Sequence, residues 1–136
     1  MKIFKDLYAF LWVNPSANNC NTYFINGSKK ILVDPGHKHL FNHVEENLAA
    51  LSLTPADIDI VIITHAHPDH MEGVSVFADT PTLAAVHHSE MGFTRKMASQ
   101  YGQGLGVTRF EPDILLREGN IQIGDMGFRV IHAPGH

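Results

Sequence analysis

Between Ile58 and Ile63 the chain reads Ile-Asp-Ile-Val-Ile-Ile, a nearly continuous β-branched run that fits a strand buried on both faces. The stretch from His39 to Ser52 precedes it. There Leu40, Phe41, Val44, Leu48 and Leu51 recur at helical spacing while Glu45, Glu46 and Asn47 fall on the other side, until Thr54-Pro55 stops the helix. Residues 7–13 and 20–26 are rich in aromatic and β-branched residues, and Asn26-Gly27 leads into Lys29–Val33, which predicts two strands joined by a tight turn. A strand, helix, strand order around so apolar a strand predicts an α/β layered fold.

Further along, Asp69–Ala78 reads as helix, Thr82–Val86 as a short strand and His88–Met97 as a helix interrupted by Gly92. Asn120–Ile123 and Phe128–His132 read as two strands around Gly124–Gly127. Ahead of these two strands Ser99–Asp113 carries Gly102, Gly104, Gly106 and Pro112 with little periodicity, which marks a surface loop or lid that Tyr101 and Phe110 could close over a substrate. The glycines lack the strand and helix frame of a dinucleotide site. No internal repeat or linker divides the 136 residues, so one domain is expected.

The net charge is −4, and no Lys/Arg run exceeds two residues, which argues against nucleic acid or an anionic membrane as the main partner. The longest apolar stretch, Leu7–Val13, is far short of the roughly 20 residues of a membrane span. Lys2 and Lys5 ahead of it loosely imitate a secretory signal, but Asp6 interrupts the pattern and a strand is the better reading. A lone Cys20 cannot form an internal disulfide, so a cytoplasmic location is the expectation.

Histidine is the outlying residue, with ten copies, and its densest cluster directly follows the buried strand as Thr64-His65-Ala66-His67-Pro68-Asp69-His70. In extended backbone, residues two apart project to the same side, so His65 and His67 can converge on one point. Pro68 holds His67 out of helical conformation, and Asp69 and His70 then open the next helix. Asp69 followed by Glu72 also resembles a capping box, so a helix-capping role competes for Asp69. Capping needs no imidazoles, however, and three polar rings beside an apolar strand need partners, which favours metal binding for the cluster.

Thr64–His70 resembles the H-x-H-x-D-H signature of the metallo-β-lactamase superfamily of metallohydrolases. The resemblance extends to Asn21-Thr22-Tyr23 with Ile31-Leu32-Val33-Asp34-Pro35-Gly36, and to His132-Ala133-Pro134-Gly135-His136. It implies an α/β (α+β) fold, the N-terminal part of an αββα sandwich with a mixed β-sheet and flanking helices. His65, His67 and His136 would hold a first metal, Asp69 and His70 would contribute to a second, and Asp34 would lie in the outer shell. Read without the family, Asp34 is a turn residue before Pro35-Gly36. Residues 1–136 would then be such a domain through its His136 motif, lacking the C-terminal part that supplies a bridging Asp and a further His. A trimmed chain, a sequence that stops early and a natural short protein all remain open. Half of such a sandwich exposes one sheet face, which two copies could cover as a homodimer.

The implied function is a metal-dependent hydrolase that directs a metal-bound hydroxide at an ester, thioester, amide or phosphoester bond of a small-molecule substrate. Asp69 is the candidate catalytic residue, as second-site ligand or as acceptor orienting the water. Zinc suits the His-rich first site, with iron or manganese as alternatives. One metal is expected, and a second only if missing ligands are supplied. The alternatives are a mononuclear iron enzyme that oxygenates a thiol or persulfide, and a non-catalytic metal-binding half-domain. His37, His39 and His43 read as solvent-facing, one of His87-His88 could approach the site, and Cys20 reads as a small strand residue.

Overall fold

The computed structural model describes residues 1–96, 99 and 111–136. The predicted lid with Gly102, Gly104, Gly106, Tyr101 and Phe110 lies outside the described residues, as does Met97.

Nine strands are described: β1 (Lys2–Phe4), β2 (Leu7–Phe10), β3 (Thr22–Asn26), β4 (Lys30–Val33), β5 (Ile60–Ile63), β6 (Leu83–His87), β7 (Ile114–Leu116), β8 (Gly119–Ile123) and β9 (Met126–Val130). β1 to β7 form one mixed sheet in sequence order, and β8 and β9 form a separate hairpin. The first four strands are antiparallel neighbours, whereas β4, β5, β6 and β7 run parallel. The β-branched run is thus a central parallel strand, with Val61 fully buried and Ile63 nearly so. Its C-terminal end, where open α/β sheets place ligands, carries the histidine cluster.

One face of the sheet carries the main core. There α1 (Asn42–Ala49) sets Val44 and Leu48 with Phe41 against Phe10, Phe24, Leu32 and Val61, and Met71 and Phe77 extend the layer. The other face holds Ile31, Ile60 and Ala85, packed against Ile123, Met126 and Phe128 of the β8–β9 hairpin. The mixed sheet with flanking helices agrees with the predicted fold class.

The boundaries differ from the sequence reading for local reasons. β2 stops at Phe10 because Trp12 leaves the ladder: its backbone N–H donates to Asn21 Oδ1 at 2.8 Å and its indole to Ala17 O at 2.7 Å. Asn26 pairs with Lys30, so the loop between β3 and β4 has three residues. Gly27 sits against the flexible end of the Met126 side chain there. The helix predicted from Asp69 to Ala78 is an α-turn, α2 (Pro68–Met71), followed by 3₁₀ turns over Glu72–Phe77. Gly73 explains the break, because its N–H leaves the helix and donates to Gly36 O at 2.7 Å. The predicted helix after His88 is a 3₁₀ turn followed by helix over residues 91–96. Edge strands β1 and β7, at three residues each, are too short to show a period.

Candidate metal centre

β5 ends at Ile63, the chain bends at Thr64 and His65, and His67, with φ of −81° and ψ of 145°, stands at the N-cap of α2 with Pro68 at the first helical position. His67, and not Asp69, is therefore the cap residue. It makes no side-chain capping bond, so the capping reading of Asp69 does not hold. His136 comes from far along the chain, after β9, and the three imidazoles of His65, His67 and His136 converge. Their ring centroids are 4.7 to 4.9 Å apart with interplanar angles of 81° to 89°. One ligand atom from each lies within 4.8 Å of the others.

Beneath them is Asp34, buried at the end of β4 with a left-handed backbone (φ 53°). Aspartate tolerates that conformation better than most side chains. Its N–H donates to Ile62 O at 2.9 Å, carrying the parallel β4–β5 pairing one residue past the strand. Thr64 N–H donates to Oδ1 at 2.7 Å and Thr64 Oγ1 to Oδ2 at 2.6 Å, while His70 Nδ1 lies 2.9 Å from Oδ2. The carboxylate thus directs His70 so that Nε2 faces away from it. This is the arrangement by which outer carboxylates orient metal-bound histidines.

The same web fixes His65. Thr64 Oγ1 gives its proton to Asp34, so at 3.0 Å it is an acceptor for His65 Nδ1–H. That leaves the lone pair on His65 Nε2, which is buried and has no hydrogen-bond partner among the described residues. A buried unpartnered imidazole nitrogen is costly, and a metal ion would satisfy it. Burial lowers the His65 pKa, reinforced by repulsion from His70, which keeps the ring in the neutral form that a ligand needs. For His70 burial acts downward too, but the hydrogen bond and charge of Asp34, with the charge of Asp69, together raise its pKa.

Asp69 is less closely held. Its Oδ2 accepts from Asn18 Nδ2 at 3.1 Å and lies 3.9 Å from His70 Nε2. Two ligands of one tetrahedral ion lie roughly 3.3 Å apart, so Asp69 and His70 need draw together only slightly to share one. Asp69 is nevertheless outside the groups of three that converge most closely.

The remaining histidines fall into two sets. His87 stacks on His132 at 4.5 Å, with Ser89 Oγ 2.7 Å from His87 Nδ1 and 3.1 Å from His132 Nε2. His87 therefore meets the His136-bearing segment at His132. His43 is half-buried, with Nε2 3.2 Å from Phe10 O, and His37 is paired with buried Glu72, so only His39 of that trio is exposed as predicted. Cys20 lies two residues ahead of β3 and not in a strand as expected, and burial pushes its thiol up to about 12, with the Asp34 charge adding to it, which fits an inert side chain.

No helix among the described residues is long and apolar enough to cross a membrane. Probable metallo-hydrolase MJ0888 of Methanocaldococcus jannaschii is 31% identical over 132 residues, covering 93% of this chain and 62% of its own length. Hydroxyacylglutathione hydrolase of Francisella tularensis is 29% identical over 126 residues, which are 92% of this chain and 42% of that protein. The chain therefore spans about half the length of the curated relatives it matches. Among solved structures, the subclass B3 metallo-β-lactamase BJP-1 of Bradyrhizobium japonicum superposes with a TM-score of 0.78 at 22% identity, covering 100% of this chain and 52% of that one, a likeness of fold. The family model of the metallo-beta-lactamase superfamily matches residues 15–136, which include Asp34, the Thr64–His70 segment and His136, and on that match the chain belongs to this superfamily.

Proposed function

We propose that this chain is the ligand-bearing N-terminal part of a metal-dependent hydrolase, with His65, His67 and His136 as ligands of a first zinc ion. Asp69 and His70 supply part of a second site, and Asp34 orients His70 directly and His65 through Thr64 from the outer shell. The observation that carries this reading is the buried, unpartnered Nε2 of His65 beside two further imidazoles. When bound, such an ion lowers the pKa of a coordinated water towards neutrality and polarises the bond under attack. Asp34 fixes which nitrogen of His70 is available, and the Asp34–Thr64 link does the same for His65. Asp69 serves as the acceptor that orients the attacking water, or as a second-site ligand.

The substrate class is a small molecule with an ester, thioester, amide or phosphoester bond, acted on in the cytoplasm. A hydroxyacylglutathione thioester is the first to try, being the substrate in the name of a relative. The test is hydrolysis of such a panel by zinc-loaded protein. The expected result is metal-dependent turnover that Asp69→Asn removes while the first metal stays bound. Unaltered turnover in Asp69→Asn would remove that residue from the mechanism. Full metal loading with no turnover on any substrate would favour the non-catalytic metal-binding reading.

A further inference from the structure

Apart from the centre just described, one group of side chains among the described residues has the composition of a ligand set. The loop after β4 supplies His37 and His39, and the turn after α2 supplies Glu72. The two segments are stitched together by Gly36 N–H to His70 O at 3.2 Å and Gly73 N–H to Gly36 O at 2.7 Å. A Cβ on Gly73 would lie 2.8 Å from Pro35 O, so only glycine allows this approach. It brings His37 Nδ1 to 2.7 Å from Glu72 Oε2 and the His39 ring to 5.0 Å from that of His37. One ligand atom from each of the three lies within 4.8 Å of the others.

Glu72 is the unusual member. It is 2% exposed, and among the described residues its Oε1 has no hydrogen-bond partner. His37 satisfies one oxygen of a buried carboxylate and leaves the other bare, a state that costs free energy unless something cationic completes it. We propose that His37, His39 and Glu72 bind a divalent cation, zinc by the chemistry of the set, at a site separate from the His65 centre. Two imidazoles and one carboxylate form a three-ligand set that zinc accepts with a fourth position open. Tetrahedral zinc holds its ligands about 3.3 Å apart, so His37 and Glu72 need open only slightly, with the proton between them displaced. Exposed His39 gives the ion its way in. The bound cation clamps the loop following Asp34 to the turn following His70.

The test is equilibrium dialysis of the purified full chain against low-micromolar free zinc, with metal counted per chain. Wild type is expected to hold one equivalent more than His39→Ala, and His67→Ala is expected to keep that equivalent. Because His39 is exposed, His39→Ala should match the metal-free melting temperature of wild type yet gain less from added zinc. Equal zinc content in wild type and His39→Ala overturns the proposal, and so does loss of all bound zinc in His67→Ala. A failure of the hydrolase reading would appear instead as absent turnover with the His39-dependent equivalent still bound.

Discussion

On the inner side of the histidine cluster, Asp34 engages Thr64 and His70 through both carboxylate oxygens from a buried position, and Thr64 in turn fixes His65. On the outer side, Asp69 is met by Asn18, and exposed His136 follows a segment tied to Ser89 through His132. The inner ligands therefore have their rotamers and tautomers set before any ion arrives, whereas the outer ones keep freedom to adjust. Preorganisation of this kind belongs on the rigid elements of a site, here the ends of β4 and β5.

Removing a ligand outright should have the largest effect. His67→Ala leaves two imidazoles in the first set, and its loss of zinc affinity should exceed the 10- to 100-fold that outer-shell partners typically command; competition with a chelator measures it. Next comes Asp34→Ala, which empties a buried carboxylate position and strands Thr64 N–H and the half-buried His70 Nδ1. A loss of about 3 kcal/mol in denaturant unfolding is expected, with a 10- to 100-fold loss of zinc affinity. Asp34→Asn tolerates the left-handed backbone and should recover part of the stability but little of the affinity. Equal behaviour of Asp34→Ala and wild type would erase the distinction between the two sides.

Asp69→Asn should leave the first zinc and the stability nearly unchanged while removing second-ion binding, read by metal content at raised zinc. Asn18→Ala is the smallest change. It deletes one exposed hydrogen bond, so a stability shift within about 0.5 kcal/mol is expected by thermal unfolding. A large loss there would mean that the outer side is as firmly built as the inner.

The same contrast decides what could be read from residues alone. The β-branched run before Thr64 marks β5 as a buried strand, and the alternation of His65 and His67 with Pro68 after them marks one ligand face, because all of this is local in sequence. The Asp34–Thr64–His70 web is carried by residues 30 and 36 positions apart and becomes visible only once β4 and β5 pair in parallel. Glu72 reads as a helix residue because its neighbours are helical in pattern, yet Gly73 diverts its amide to Gly36, ends the α-turn and delivers Glu72 to His37. Nothing local distinguishes His37 from exposed His39 two residues on. The β1 and β7 edges were illegible for a different reason: three residues do not make a period.

The most direct test of the account is the metal content of the purified full chain and of its His65→Ala/His67→Ala double variant, measured under identical zinc dialysis. The account predicts that the double variant loses the zinc held by His65, His67 and His136 and retains only what His37, His39 and Glu72 bind. A double variant that carries as much zinc as wild type would contradict the assignment of the metal centre.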